Sequence, residues 1–116
     1  MKHLAMAVLL AAAGCHHGGD DVTADLASSC LIEHDGGVTQ CFDDVGSGAK
    51  SEGEKACGTM HGVHTFRAGK PCPTDGVIVS CTKASGTELE RVERCYRDEA
   101  ACTARCAKGN GVLNKP

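Results

Sequence analysis

Apolar residues are distributed unevenly along the 116-residue chain. Leu4 to Ala13 is an unbroken apolar run of ten behind the basic head Met1-Lys2-His3, and after it no apolar stretch exceeds three residues. The rest of the chain is a series of short β-prone runs separated by turn formers. The clearest pattern is Cys30-Leu-Ile-Glu-His34, then Asp35-Gly36-Gly37, then Val38-Thr-Gln-Cys41-Phe42. Asp-Gly between such runs predicts a hairpin with a type I′ turn, whose two central residues both need positive φ. With Asp35-Gly36 as a two-residue loop, His34 faces Gly37 and Cys30 falls opposite Cys41; a three-residue loop would slip that register.

Further along, residues 45–54 read as a Gly- and Ser-rich loop. Residues 50–60 carry a short helical pattern, weakened by Gly53 and Gly58. Val63 to Phe66 is a candidate strand, and Gly69 to Gly76 is dense in turn formers. Val77-Ile-Val-Ser-Cys81-Thr82 is a strand. Glu88 to Tyr96 fits either period: Leu89, Val92 and Tyr96 share a helix face, while Val92, Arg94 and Tyr96 alternate. Strand is favoured, because Gly86 closes a hairpin with the run before it. Arg97 to Lys108 reads as a helix ended by Gly109, and residues 110–116 as a frayed tail.

The apolar run of ten is half the roughly 20 residues needed to span a bilayer as a helix. A positive head, a short apolar middle and small residues before Cys15 are the anatomy of a secretory signal. Ending in Ala-Gly-Cys15, it resembles a bacterial lipoprotein signal, although Ala12 stands where that signal usually has Leu. The resemblance implies cleavage before Cys15 and acylation of that residue. More than one acyl chain anchors stably, at about 0.8 kcal/mol per buried methylene. His16 comes next, where Asp would resemble an inner-membrane retention signal, so the expected location is the outer membrane. Residues 16–29 are polar and read as a tether of about 20 Å. The expected layout is residues 1–14 signal, 15–29 lipidated Cys15 and tether, 30–109 domain, 110–116 tail.

Charge adds little. Without Lys2 the chain carries 11 basic and 15 acidic residues, a net −4, with no basic block. That argues against nucleic acid as a partner. The expected partners are the membrane, through Cys15, and an unidentified envelope or extracellular protein.

The apolar content is low. Leu, Ile, Val and Phe make up 16 of residues 15–116, with no Trp and one Tyr, too few to offset chain entropy unaided. Nine cysteines less Cys15 leave an even set, Cys30, Cys41, Cys57, Cys72, Cys81, Cys95, Cys102 and Cys106, as four disulfides require. Proximity suggests Cys30–Cys41, Cys57–Cys72 and Cys81–Cys95, which would force Cys102–Cys106. On a helix that last pair would hold its Cβ atoms about 5–6 Å apart, too far for an unstrained bridge. Cys102 and Cys106 are therefore expected to bond different partners on earlier strands. Cys81–Cys95 is the local pair to break first and Cys30–Cys41 the one to keep.

Cys30…Cys41-Phe42…Ala56-Cys57 and Cys81…Cys95-Tyr96…Ala101-Cys102 run in one order, a weak internal repeat. The expected fold is thus small, disulfide-rich α+β: two β-hairpins with short helices, as a candidate duplicated hairpin–helix unit. Cys57…Gly62…Phe66…Cys72-Pro73…Gly76…Cys81…Tyr96 resembles small cysteine-rich lipoproteins of Gram-negative soil bacteria. Cys106 and the His61/His64 pair depart from their usual pattern. The resemblance carries no catalytic residue over to this chain.

Candidate chemistry is sparse. Cys57, Met60, His61 and His64 have the spacing of a Cu(I) or Zn site. Against it, Cys57 completes the disulfide count and Gly62 suggests a turn with solvated histidines. His16-His17 could bind metal adventitiously. No nucleophile-elbow context accompanies the Ser, His and Asp residues, and Cys102-x-x-x-Cys106 lacks redox spacing, so no enzyme and no cofactor is expected. Gly69-Lys70-Pro71-Cys72-Pro73 could form a rigid protease-inhibitor or ligand-binding loop, or an ordinary turn. The expectation is a lipid-anchored envelope protein with a structural or interaction role.

Overall fold

The computed structural model describes residues 27–116. Cys15, His16, His17 and the stretch read as a signal lie outside them. The expected hairpin forms from β1 (Ser28–His34) and β2 (Gly37–Asp44). Asp35 and Gly36 both take positive φ, 52° and 78°, and His34 faces Gly37 as a two-residue type I′ loop requires.

Two residues further on, the register shifts. Glu33 faces Val38 but Ile32 faces Gln40, leaving Thr39 as a β-bulge. The Thr39 carbonyl accepts the Tyr96 N–H at 3.0 Å, which holds the bulge against the next strand. The slip has a large consequence, because side chains alternate faces with period two. Cys30 now faces Phe42, and Cys41 faces Leu31. Cys30 and Cys41 project from opposite faces of the sheet, so the expected bond between them cannot form. Cys30 instead reaches Cys57 and Cys41 reaches Cys72, which also displaces the expected Cys57–Cys72 pair.

Helix α1 (Ser47–Cys57) starts inside the stretch expected to be loop. Gly53 in its interior costs helix propensity but permits contact. A Cβ there would lie 2.3 Å from Asp44 Oδ2 and 3.3 Å from the Phe66 ring, so only glycine lets the helix rest on the sheet. Strand β3 (Val63–Arg67) returns beside β1. Strands β4 (Val79–Lys83) and β5 (Arg91–Cys95) form the second hairpin; the ambiguous 88–96 segment is strand over Arg91–Cys95, as the turn at Gly86 suggested, while residues 88–90 extend that turn.

Helix α2 (Glu99–Lys108) is capped by Asp98, whose Oδ1 accepts the Ala101 N–H at 3.1 Å. It stops at Gly109 as expected, but the left-handed residue is Asn110, φ 57°. The chain then reverses into β6 (Val112–Asn114), which pairs with β4 in the stretch expected to fray.

These strands do not make two separate hairpins with short helices. They form one six-stranded antiparallel sheet in the order β3-β1-β2-β5-β4-β6, with only two helices among the described residues, and that overturns the expected architecture. The reason is edge satisfaction. Each hairpin acquires a third strand on its outer edge, and the two units then pair along β2 and β5, leaving no open edge between them. The repeating arrangement is strand–strand–helix–strand, and Cys57 corresponds to Cys106, not Cys102. Cys57 and Cys106 are the helix cysteines bonded to Cys30 and Cys81, which occupy matching places on β1 and β4.

The core is small and largely sulfur. Among the described residues, eight of the twelve buried apolar ones are half-cystines, so the disulfides fill the interior as well as bridging it. One cluster joins Cys30, Ile32 and Cys57 to Phe42, Met60 and Phe66 under α1. The other joins Val79, Cys95 and Cys102 to Leu113 under α2. Cys102 and Cys106 bond different strand partners, Cys95 and Cys81, as the helical spacing demanded, although Cys95–Cys102 closes only seven residues.

Candidate functional site

Both helices lie on one face of the sheet, α1 fixed by one disulfide and α2 by two, and a groove remains between them over the central strands. Its floor is β2 and β5. One part, about 340 Å³, is lined by Phe42, Met60, Lys83, Leu89, Arg91 and Glu93. An adjoining part of about 330 Å³ shares Phe42, Met60, Lys83 and Glu93 and extends to Gln40, His61 and Arg105. Phe42 and Met60 supply an apolar wall that is also the edge of the α1 cluster.

Glu93, 3% exposed, is the buried charge of this floor. A buried carboxylate needs donors, and Oε2 has three: Gln40 Nε2 at 2.7 Å, Arg105 Nη2 at 2.7 Å and Arg105 Nε at 3.0 Å. Arg105 Nη2 also lies 3.0 Å from Cys102 Sγ. Glu93, Cys95 and Cys102 thereby come together, with ligand atoms within 4.8 Å of one another. Both sulfurs are engaged in their disulfide and the guanidinium occupies the carboxylate, so this group presents no free donor set to a metal.

A second buried carboxylate, Asp44, sits under α1. Its Oδ1 accepts Arg91 Nε at 2.6 Å, while Oδ2 has no partner. Burial raises its pKa above the ordinary carboxylate value, against the opposing effect of Arg91.

The opposite face of the sheet is closed by the 68–78 loop. Cys72 bonds Cys41, its N–H donates to Asp43 Oδ1 at 2.7 Å, and Asp43 Oδ2 pairs with Arg94 Nε at 2.7 Å. Ser29 Oγ donates to the Lys70 carbonyl at 2.6 Å, and the Tyr96 hydroxyl to the Pro73 carbonyl at 2.6 Å. Burial, then the Asp43 charge, raises the Tyr96 pKa. An inhibitor loop must present its backbone to the target enzyme, whereas the Lys70 carbonyl is turned onto the sheet. The Lys70 and Pro73 carbonyls are pinned, while Lys70, Pro71 and Pro73 are themselves exposed. Beside them is a groove of about 430 Å³ bordered by Val77, Ser80, Thr82, Val92, Arg94 and Lys115, its two cations paired with Asp43 and Glu99.

The residues singled out for metal are not brought together. Cys57 is in a disulfide, Met60 packs on the core, and His64 is exposed on β3 with Nδ1 3.3 Å from the Gly62 carbonyl. Of these four, His61 and Met60 line the inter-helix groove. Among the described residues, the one close group of His, Cys, Asp or Glu side chains is that around Glu93. Sequence reasoning missed Phe42, Lys83, Glu93 and Arg105 as neighbours, since nothing local ties β2, β4, β5 and α2 into one site.

Four disulfides around so small a core make this a stable module of extracellular type. They point to an oxidising, extracytoplasmic compartment. No described helix is long and apolar enough to cross a membrane. Compared with known proteins, the chain matches no family model, no curated protein and no solved structure.

Proposed function

We propose that the chain is a lipid-anchored cell-envelope module that acts by binding or scaffolding, with no catalytic step. The observation that carries this reading is the pairing of cysteines. All eight from Cys30 to Cys106 are consumed in disulfides within the domain, so Cys15 is left over. It stands directly after the apolar run and the small residues of a lipoprotein-like signal, where acylation would use its thiol. The polar stretch ahead of β1, residues 16–27, would then tether the domain to an outer membrane, on either its periplasmic or its outer surface, within reach of an envelope or extracellular partner.

The test is metabolic labelling with an alkyne fatty acid during expression in a Gram-negative host. The wild-type chain should carry label, fractionate with outer membranes and have lost residues 1–14 by intact mass. Cys15→Ser should lose the label and leave the membrane fraction. An unlabelled, soluble wild-type protein with an unmodified Cys15 would overturn the proposal.

A further inference from the structure

The groove between the helices has an imbalance of charge. Its floor anion, Glu93, is already held by Gln40 and Arg105. Three cations border it. Arg105 is committed to Glu93 and Arg91 to Asp44. Lys83 differs: among the described residues no hydrogen bond or ion pair engages its ammonium. It is nonetheless held in place, because its stem lies along Gly109, where a Cβ would stand 3.0 Å from Lys83 Cε and 3.2 Å from Nζ. That places the charge at the C-terminal end of α2, favourable to a cation but without neutralising it. Across the same groove stand Phe42 and Met60, half-buried, and Leu89 at the rim is 63% exposed.

A positioned, unpaired cation opposite an apolar wall is complementary to one kind of occupant. We infer that this groove binds a compact monocarboxylate with an apolar body. The carboxylate meets Lys83, and the body covers Phe42 and Met60. An open groove of about 340 Å³ suits a molecule of one or two amino-acid residues in size. A neutral apolar compound would leave Lys83 without a counter-charge, and a cation would be repelled by Lys83 while both floor carboxylates are already paired. The inference rests on the proposed binding role but not on acylation of Cys15, since every residue it uses lies within the described domain.

The probes are N-acetyl-L-leucine and its neutral amide, titrated into the oxidised full chain carrying Cys15→Ser and followed by NMR at the Met60 methyl and Phe42 ring. The carboxylate should give saturable shifts with a Kd near about 1 mM, and the amide should bind at least about fivefold more weakly. Added salt should narrow that difference. Lys83→Gln should weaken the carboxylate by about fivefold and leave the amide unchanged, while Lys115→Gln, remote from this groove, should change neither. Dispersion of the amide spectrum shows whether each variant is folded, and the salt titration needs no variant. Equal shifts from carboxylate and amide, unchanged affinity in folded Lys83→Gln, or no shift at tens of millimolar would each overturn the inference.

Discussion

Phe42 and Glu93 face each other across β2 and β5, and each also faces the first cysteine of its own half, Cys30 or Cys81. One transverse row therefore crosses the whole sheet: Phe66, Cys30, Phe42, Glu93, Cys81, Leu113. A half-turn through its middle exchanges Phe42 with Glu93, Cys30 with Cys81 and Phe66 with Leu113. The same operation exchanges the pair Asp44–Arg91 with Cys95–Gln40. The halves have matching frames and different fillings: aromatic under α1, ionic under α2. The groove inherits its apolar side from Phe42 and its charged side from Glu93.

That correspondence predicts a fifth disulfide. Asp44 occupies the place of Cys95, and Gly53, four residues before Cys57, that of Cys102, four before Cys106. The contact already exists, since a Cβ on Gly53 would meet Asp44 Oδ2. The double variant Asp44→Cys, Gly53→Cys should close a bridge across nine residues, which the chain-entropy account values at about 2.5 kcal/mol, less the lost Arg91 pair. Resistance of the two new cysteines to alkylation under denaturing conditions checks it; two titratable thiols would show that the halves do not superpose as the register indicates.

Deleting Thr39 should leave the first hairpin in its native register. Thr39 is the extra residue of β2, so without it Glu33 still faces Val38, Ile32 still faces Gln40 and Cys30 still faces Phe42, now in an unbroken ladder, and Cys41 stays on the Cys72 side of the sheet. Non-reducing peptide mapping of the deletion variant should therefore return Cys30–Cys57 and Cys41–Cys72, with only the Tyr96 N–H bond to the Thr39 carbonyl lost. A Cys30–Cys41 bridge in that variant would show that Thr39 is not the residue that sets the register.

Asp44 gives stability a pH dependence whose sign comes from its raised pKa. The folded carboxyl holds its proton to a higher pH than the unfolded one. The contribution is therefore most favourable at low pH and falls as pH rises from the ordinary carboxylate range through the raised value, then levels off. In Asp44→Asn this dependence disappears. Denaturant melts across that range should show the variant gaining on wild type as pH rises; a constant difference between the two would refute the assignment.

Reduction should abolish the fold. The three longer bridges, spanning 25 to 31 residues, each contribute roughly 3.5 kcal/mol on the chain-entropy account, and the seven-residue one about 2.4. Eight half-cystines also make up most of the core, leaving only Ile32, Ala49, Val79 and Val92 as other buried apolar residues among those described. In excess reductant the far-UV circular dichroism should become that of a largely disordered chain. Cooperative unfolding that survives reduction would show that these four and their half-buried neighbours suffice.

Local sequence determined the parts whose physics is local. Asp35-Gly36 set a type I′ turn because consecutive positive φ angles suit few other residues. The i, i+4 spacing of Cys102 and Cys106 forbade a bridge between them and sent each to a different strand. The scarcity of Leu, Ile, Val and Phe required covalent reinforcement. Tertiary structure decided whatever depends on pairing between distant strands. The Thr39 bulge, held by the N–H of the distant Tyr96, reversed the facing of Cys41 and with it two disulfides. Val112–Asn114 became a strand because β4 offered an edge, not because its three residues favour one. The groove arose only when β2 met β5, since Phe42, Lys83, Glu93 and Arg105 share no local pattern. Turn and helix geometry act over a few residues and are legible there; register and sheet order are set by edges and faces that exist only once the chain has folded.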